Sequence, residues 1–174
     1  MSPSVPSAFS TVKSDFYALL VQTVESVIDL DLPLTANLAN ISSVLYFALT
    51  DDPVARKINW CGFYLTQDPS AEKPRLVLGP FQGRVACTII PFGKGVCGTA
   101  ASVQKTQLVV DVHLFPGHIA CDSASESEIV VPIVDKNGIT RGVLDIDCLV
   151  KDGFTQEDLI GMEAVVSKIR VLFQ

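Results

Sequence analysis

With 174 residues, 48% of them hydrophobic, and a formal net charge of −6, the chain is long enough to bury one sizeable core and short for several. No apolar run approaches the roughly 18 residues of a membrane span, and no cluster of Lys and Arg offers the cationic surface that phosphate backbones require. The start, MSPSVPSAFSTVKSD, has neither a basic leader nor a hydrophobic signal core, so a cytoplasmic protein is expected.

Residues 1–10 read as a flexible arm and residues 11–174 as one domain. From Val12 to Leu30 apolar residues recur at helical spacing, at Val12, Phe16, Leu19, Leu20, Val24, Val27 and Ile28, which predicts a helix with one buried face. Pro33 ends it, and Leu34, Leu38, Ile41, Leu45 and Ala48 mark a second. INWCGFYL (Ile58 to Leu65) turns to the aromatic and β-branched composition of a strand. RLVLGPF and VACTII predict two more strands. FGKGVCGTAASVQ is rich in glycine and then in small residues, which suits a tight turn opening a short helix. QLVVDV reads as a brief strand, and GHIACDSAS as a long loop running into the strand EIVVPIV. Asn137-Gly138 predicts a two-residue hairpin turn, with TRGVLDIDCLV returning as the partner strand. Phe154 to Phe173 is amphipathic, with Thr155 as N-cap and Asp158 three residues on. The order predicts an α+β domain: a central antiparallel sheet with N- and C-terminal helices packed against it.

Five cysteines, an odd number with no C-x-x-C pair, point to reduced thiols rather than to a disulfide framework or a zinc site. Cys61 and Cys148 lie inside strand-like runs and read as small core hydrophobes. The acids are more informative. Side chains alternate along a strand, so Asp145 and Asp147 share one face of L-D-I-D. A two-residue turn pairs Lys136 with Ile139, and counting back sets Glu128 opposite Asp147 and Val130 opposite Asp145. Like charges placed so destabilise a sheet. They become useful if a thiol on the neighbouring loop, Cys121, attacks a group whose oxygen must be protonated. His113 reads as structural and His118 as a loop histidine bonded to backbone. Gly93, Gly95 and Gly98 lack the G-K-[ST] of a phosphate loop, and Lys94 merely sits among them. Their turn is expected to deliver Cys97 to a helix start whose dipole favours a thiolate.

At these residues the chain resembles a known family. GHIACDSASESEIVVPI, with QGRVACTIIPFGKGVCGTAA upstream and GVLDIDC downstream, is similar to the free methionine-(R)-sulfoxide reductases, each a single free-standing GAF domain. The likeness runs from about Ile58 to Cys148. It implies reduction of free methionine-(R)-sulfoxide, with Cys121 as the catalytic cysteine, Cys87 as a resolving cysteine and Cys97 as a further redox-active thiol. It also implies a substrate pocket formed by Trp60, Glu128, Asp145 and Asp147, no cofactor, no metal, and thioredoxin as reductant. A homodimer through the terminal helices is a further expectation. The rival reading is a GAF module that senses a small molecule without catalysis.

Overall fold

The computed structural model describes residues 6, 8–51, 54–117 and 122–174. Helix α1 (Lys13–Val27) buries Phe16, Leu20, Val24 and Val27, the stripe that the 3.6-residue period sets out. Phe9, which sequence places in the arm, packs on Phe16 with ring centroids 5.3 Å apart. Pro33 is the N-cap of α2 (Leu34–Thr50), and the turn before it is held by Asn37. That side chain accepts from the Asp29 N–H at 2.8 Å and donates to the Asp29 carbonyl at 2.9 Å. Buried Asn37 thereby satisfies backbone groups that a short interhelical turn leaves without partners.

The strands follow: β1 (Ile58–Gln67), β2 (Arg75–Gly83), β3 (Ile89–Pro91), then helix α3 (Gly95–Val103), β4 (Gln107–Val109), β5 (Ser127–Val134), β6 (Thr140–Cys148) and helix α4 (Gln156–Ile169). A 3₁₀ turn at Val112–Leu114 precedes the loop into β5, and another at Arg170–Phe173 follows α4. Thr155 and Asp158 form the expected capping box on α4. The six strands make one antiparallel sheet in the order β3-β2-β1-β6-β5-β4, so the α+β architecture is as the sequence predicts.

Period-2 alternation sorts the sheet into two faces. Cys61, Phe63, Ile129, Val131, Leu144, Ile146 and Cys148 face a core completed by α1, α2 and α4. Cys61 and Cys148 are free, buried thiols there, in keeping with a packing role. On the opposite face Trp60, Tyr64, Val130 and Val143 form a smaller core with α3. The candidate site residues Trp60, Glu128, Asp145 and Asp147 lie on this second face.

Two local predictions differ from the structure, and both differences trace to bulges. The strand expected over VACTII shortens to Ile89–Pro91. Pairing between β1 and β2 shifts register between Gly62 and Tyr64, which leaves an extra residue at Gly79-Pro80 on β2. A bulge twists the edge, and Pro80 has no N–H for a neighbour, so the partner strand cannot extend back past Thr88. Cys87 therefore sits on a connection outside the sheet. In the β5–β6 hairpin Lys136 does not pair with Ile139. The Asp135 N–H donates to the Ile139 carbonyl at 2.9 Å and the Gly138 N–H to the Asp135 carbonyl at 3.1 Å. The loop is thus three residues, closed by Gly138 at φ +76°, the left-handed position that favours glycine. A bulge between Val134 and Ile133 then restores the register, and Glu128 lies opposite Asp147 after all. The predicted pairing holds although the predicted turn does not.

Candidate active site

A row of side chains crosses the second face. Trp60 on β1 is opposite Asp147 on β6, Asp147 is opposite Glu128 on β5, and Glu128 is opposite Val109 on β4. One step along, Gly62, Asp145 and Val130 form the next row. The hairpin thus brings all three predicted acids together. Helix α3 lies over them and points Cys97 down: its Sγ is 3.8 Å from Glu128 Oε1. Sγ and one oxygen each of Glu128 and Asp145 lie within 4.8 Å of one another. Glu128 and Asp145 are only 5% and 6% exposed, whereas Asp147 is half-buried at the rim.

Burial is the main force on these carboxyls, because a charge held away from water is costly. It pushes Glu128 well above the usual carboxylate range, and the neighbouring charges of Asp145 and Asp147 push it further. Asp147 is raised by burial and then by Asp145 and Asp122. Asp145 rises least, to about 6, because hydrogen bonds from Cys97, Glu128 and the Ile146 backbone offset part of the burial cost. The cluster therefore holds protons more tightly than ordinary carboxyls do, with Asp145 the least raised of the three. Asp145 Oδ1 is buried without a hydrogen-bond partner, so the cluster retains an open acceptor.

A cavity of about 30 Å³ opens onto this arrangement. Its floor is the three acids. Cys97, Val96, Gly95 and Lys94 from the first turn of α3 form one wall with Ile90, and Asp122 and Ser125 form the lip. The cavity has polarity: carboxyls on one side, and on the other the Lys94 cation beside a helix N-terminus that no side chain caps. Uncapped N–H groups and the helix dipole both favour negative charge.

Trp60 is buried, 2% exposed, and stacks with Tyr64 at 5.6 Å and with Phe81 at 5.2 Å between ring centroids. Phe81 occupies the space above Gly62, where any Cβ would strike it. Trp60 lies next to Asp147 in register but is not among the residues lining the cavity; its indole Nε1 is buried without a partner. Cys87 is half-buried and disulfide-bonded, whereas Cys61, Cys97 and Cys148 are free. Cys121 and His118 lie outside the described residues. His113 is exposed and pairs with Glu126 at 3.3 Å.

The forces on the Cys97 thiol run against the expected thiolate. Cys97 does sit in the first turn of α3, but burial raises its thiol well above the ordinary range, and Asp145 and Glu128 raise it further. A weak helix dipole cannot outweigh desolvation beside carboxylates. Lys94 is also more than a residue among glycines, since it lines the cavity. Sequence reasoning missed Asn59, Asp122 and Ser125. Register shifts between Ile58 and Trp60, making Asn59 a bulged residue whose side chain leaves the sheet. Its Nδ2 donates to Asp122 Oδ2 at 3.2 Å and to Ser125 Oγ at 3.0 Å, fastening the lip of the cavity to β1. The closeness of Asp122 and Ser125 to Cys121 in the chain was a usable signal; the bulge was not.

Among the described residues, two sets of side chains have the spacing to hold a metal: Cys97, Glu128 and Asp145, and the outer cluster Asp111, His113 and Glu126. In the first, the groups satisfy one another through shared protons. In the second, Lys151 already pairs with Asp111 at 2.7 Å. Among the described residues no helix is long and apolar enough to cross a membrane.

No protein-family model matches the chain. It is 48% identical over 157 residues to a Saccharomyces cerevisiae protein named free methionine-R-sulfoxide reductase, covering 90% of this chain and 85% of that one. A solved structure described as that of the GAF domain superposes with a TM-score of 0.85 at 45% identity, covering 94% of this chain and 91% of the other. The free methionine-R-sulfoxide reductase of Neisseria meningitidis, solved in complex with its substrate, superposes with a TM-score of 0.85 at 37% identity, covering 97% and 95% of the two chains.

Proposed function

The chain belongs to the free methionine-R-sulfoxide reductases and has the GAF fold, and from that premise we propose that it reduces free L-methionine-(R)-sulfoxide with Cys121 as nucleophile. The observation that carries this reading is the buried acid cluster beside Cys97. A sulfoxide is a poor electrophile until its oxygen is protonated, and burial with the neighbouring acids pushes Glu128 well above the usual carboxylate range, toward the proton-bearing form that a general acid needs.

The Cys121 thiolate attacks the substrate sulfur while Glu128 gives its proton to the oxygen. The oxygen passes to the Cys121 sulfur as a sulfenic acid, and methionine leaves. The Cys87 thiol then attacks that sulfur, an S–S bond forms and water is released. A dithiol such as thioredoxin returns both cysteines to thiols by exchange. Two thiols are oxidised for each sulfoxide reduced, so atoms and electrons balance. That Cys87 is disulfide-bonded while three other cysteines are free supports Cys87 as the resolving residue. Those free thiols also fit a reducing compartment, the cytoplasm.

Specificity for the free amino acid follows from charge. Asp145 or Asp147 in its ionised form holds the α-ammonium, and Lys94 with the α3 N-terminus faces the α-carboxylate. A residue within a peptide has neither charge. Trp60, with Tyr64 and Phe81 stacked on it, supplies an aromatic backing for the S-methyl group. Homodimers form through the α1 and α4 face, where Ile160 is 61% exposed.

The test is to incubate reduced protein with free methionine-(R)-sulfoxide and measure methionine released and thiols remaining. The reading requires two thiols lost per methionine and no reaction with the S epimer. A sensing module without catalysis loses no thiols.

A further inference from the structure

Asn59 takes no part in the reaction above, yet its side chain reaches the segment that follows the nucleophile in the chain. We propose that Asn59 is a positioning residue for Cys121: its amide braces the turn that begins at Asp122 against the sheet, and so fixes the point from which the cysteine is presented to the substrate. The consequence for catalysis rests on the reductase reading; the bracing of the turn does not.

A strand residue in regular register could not do this. Side chains in the ladder of β1 and β6 point alternately at one face of the sheet or the other. The register shift between Ile58 and Trp60 leaves Asn59 outside the pairing, and a bulged residue can aim its side chain elsewhere. The aim is specific, because an amide nitrogen carries two N–H donors and each finds an acceptor. Nδ2 donates to Asp122 Oδ2 at 3.2 Å and to Ser125 Oγ at 3.0 Å. Among the described residues Oδ1 has no hydrogen-bond partner although it is buried, which costs stability. A residue kept for stability alone gains nothing from that arrangement.

What Asn59 grips is already a closed unit. The Ala124 N–H donates to Asp122 Oδ1 at 3.0 Å, and the Ser125 N–H donates to the Asp122 carbonyl at 3.3 Å. The two ends of this turn are the two partners of Asn59. The next residue is tied to β6, where the Glu126 N–H donates to the Cys148 carbonyl at 2.9 Å. Asp122 and Ser125 both line the cavity with Glu128, Asp145 and Asp147. Consecutive Cα atoms are about 3.8 Å apart, so a turn held at Asp122 keeps the attachment point of Cys121 at the lip of that cavity. Without the amide the turn is left to hinge about Glu126, and the nucleophile swings with it. Attack on sulfur tolerates little of this, since a misplacement of about 1 Å can cost about 10²-fold in rate.

The experiment compares three variants of the full chain: Asn59→Ala, Asn59→Asp, and Asn59→Asp combined with Asp122→Asn. Single-turnover methionine release is expected to slow about tenfold in Asn59→Ala, with the loss in kcat and KM within about twofold of the unaltered protein. Asn59→Asp keeps the shape but sets a carboxylate against that of Asp122, so it should be slower still. The exchanged pair reverses donor and acceptor: the new amide at 122 donates to the new carboxylate at 59 and keeps an oxygen for the Ala124 N–H. It should recover most of the rate. Hydrogen exchange at the Ala124 and Ser125 amides reads the turn without turnover; it should quicken about tenfold or more in both single variants and slow again in the exchanged pair. If Asn59→Ala does not fold, Asn59→Ser, too short to reach either partner, replaces it. An exchanged pair no faster than Asn59→Asp would overturn the proposal, as would a defect confined to KM. So would exchange at Ala124 and Ser125 that is unchanged in Asn59→Ala. If the unaltered protein releases no methionine, the reductase reading fails, and hydrogen exchange still decides whether Asn59 braces the turn.

Discussion

Replacing Asp145 with Asn should remove a pH dependence of stability that this one carboxyl imposes. The fold holds Asp145 at 6% exposure, and its midpoint rises from an ordinary 3.8 to about 6. The native state therefore binds more protons than the unfolded chain between those values. The sign follows: stability from this group is fully present below about pH 4 and is lost as pH rises through about 6. At 1.36 kcal/mol per pH unit the whole titration is worth about 3 kcal/mol, of which about 2 falls between pH 4.5 and 7.5. Lost hydrogen bonds from Cys97 and Glu128 also cost the variant stability, but that cost is nearly the same at both pH values and cancels from the difference. Relief of Glu128 and Asp147, both pushed up by the Asp145 charge, adds in the same direction. Urea unfolding of both proteins at the two pH values, with Cys87 in one redox state throughout, measures it. Relative to the unaltered protein, the Asp145→Asn variant should gain about 2 kcal/mol or more on going from pH 4.5 to 7.5 while turnover falls. Parallel stability curves would refute the reasoning, since they would mean that Asp145 is solvated in the native state.

Cys121→Ser should release no methionine in a single turnover, whereas Cys87→Ser should release one equivalent and then stop; quenched-flow product analysis separates the two, and stoichiometric methionine from Cys121→Ser would remove it as nucleophile. Glu128→Gln keeps the shape of the side chain but has no acidic proton, so kcat should fall about 10²-fold or more with the melting temperature kept or raised. N-acetyl-methionine sulfoxide should be rejected by the unaltered protein, because its amide carries no positive charge for Asp145 or Asp147; equal rates on both substrates would exclude ammonium recognition. Asn59→Ala breaks the two hydrogen bonds that fasten Asp122 and Ser125, a loss of about 1–3 kcal/mol in positioning; kcat/KM should drop roughly tenfold. Ile160→Asp should shift the mass measured by light scattering from dimer to monomer if the α1 and α4 face is the interface.

Local chemistry was enough to read the helices from their 3.6-residue stripes, the N-cap at Thr155, and the shared face of Asp145 and Asp147. These depend on periodicity and on near neighbours in the chain, and they hold in any fold that keeps the strand. The opposition of Glu128 and Asp147 was also legible, although two departures that compensated each other, a longer turn and a bulge, lay behind the agreement. What the sequence could not contain was the distance between segments. Cys97 and Glu128 are 31 residues apart, and only the descent of α3 onto the sheet turns a helix-start thiol into a buried, protonated donor. Asn59 reads as one more strand residue until a bulge sends its side chain across to Asp122 and Ser125, more than 60 positions away. Protonation and positioning are set by burial and by neighbours in space, so they belong to the tertiary structure.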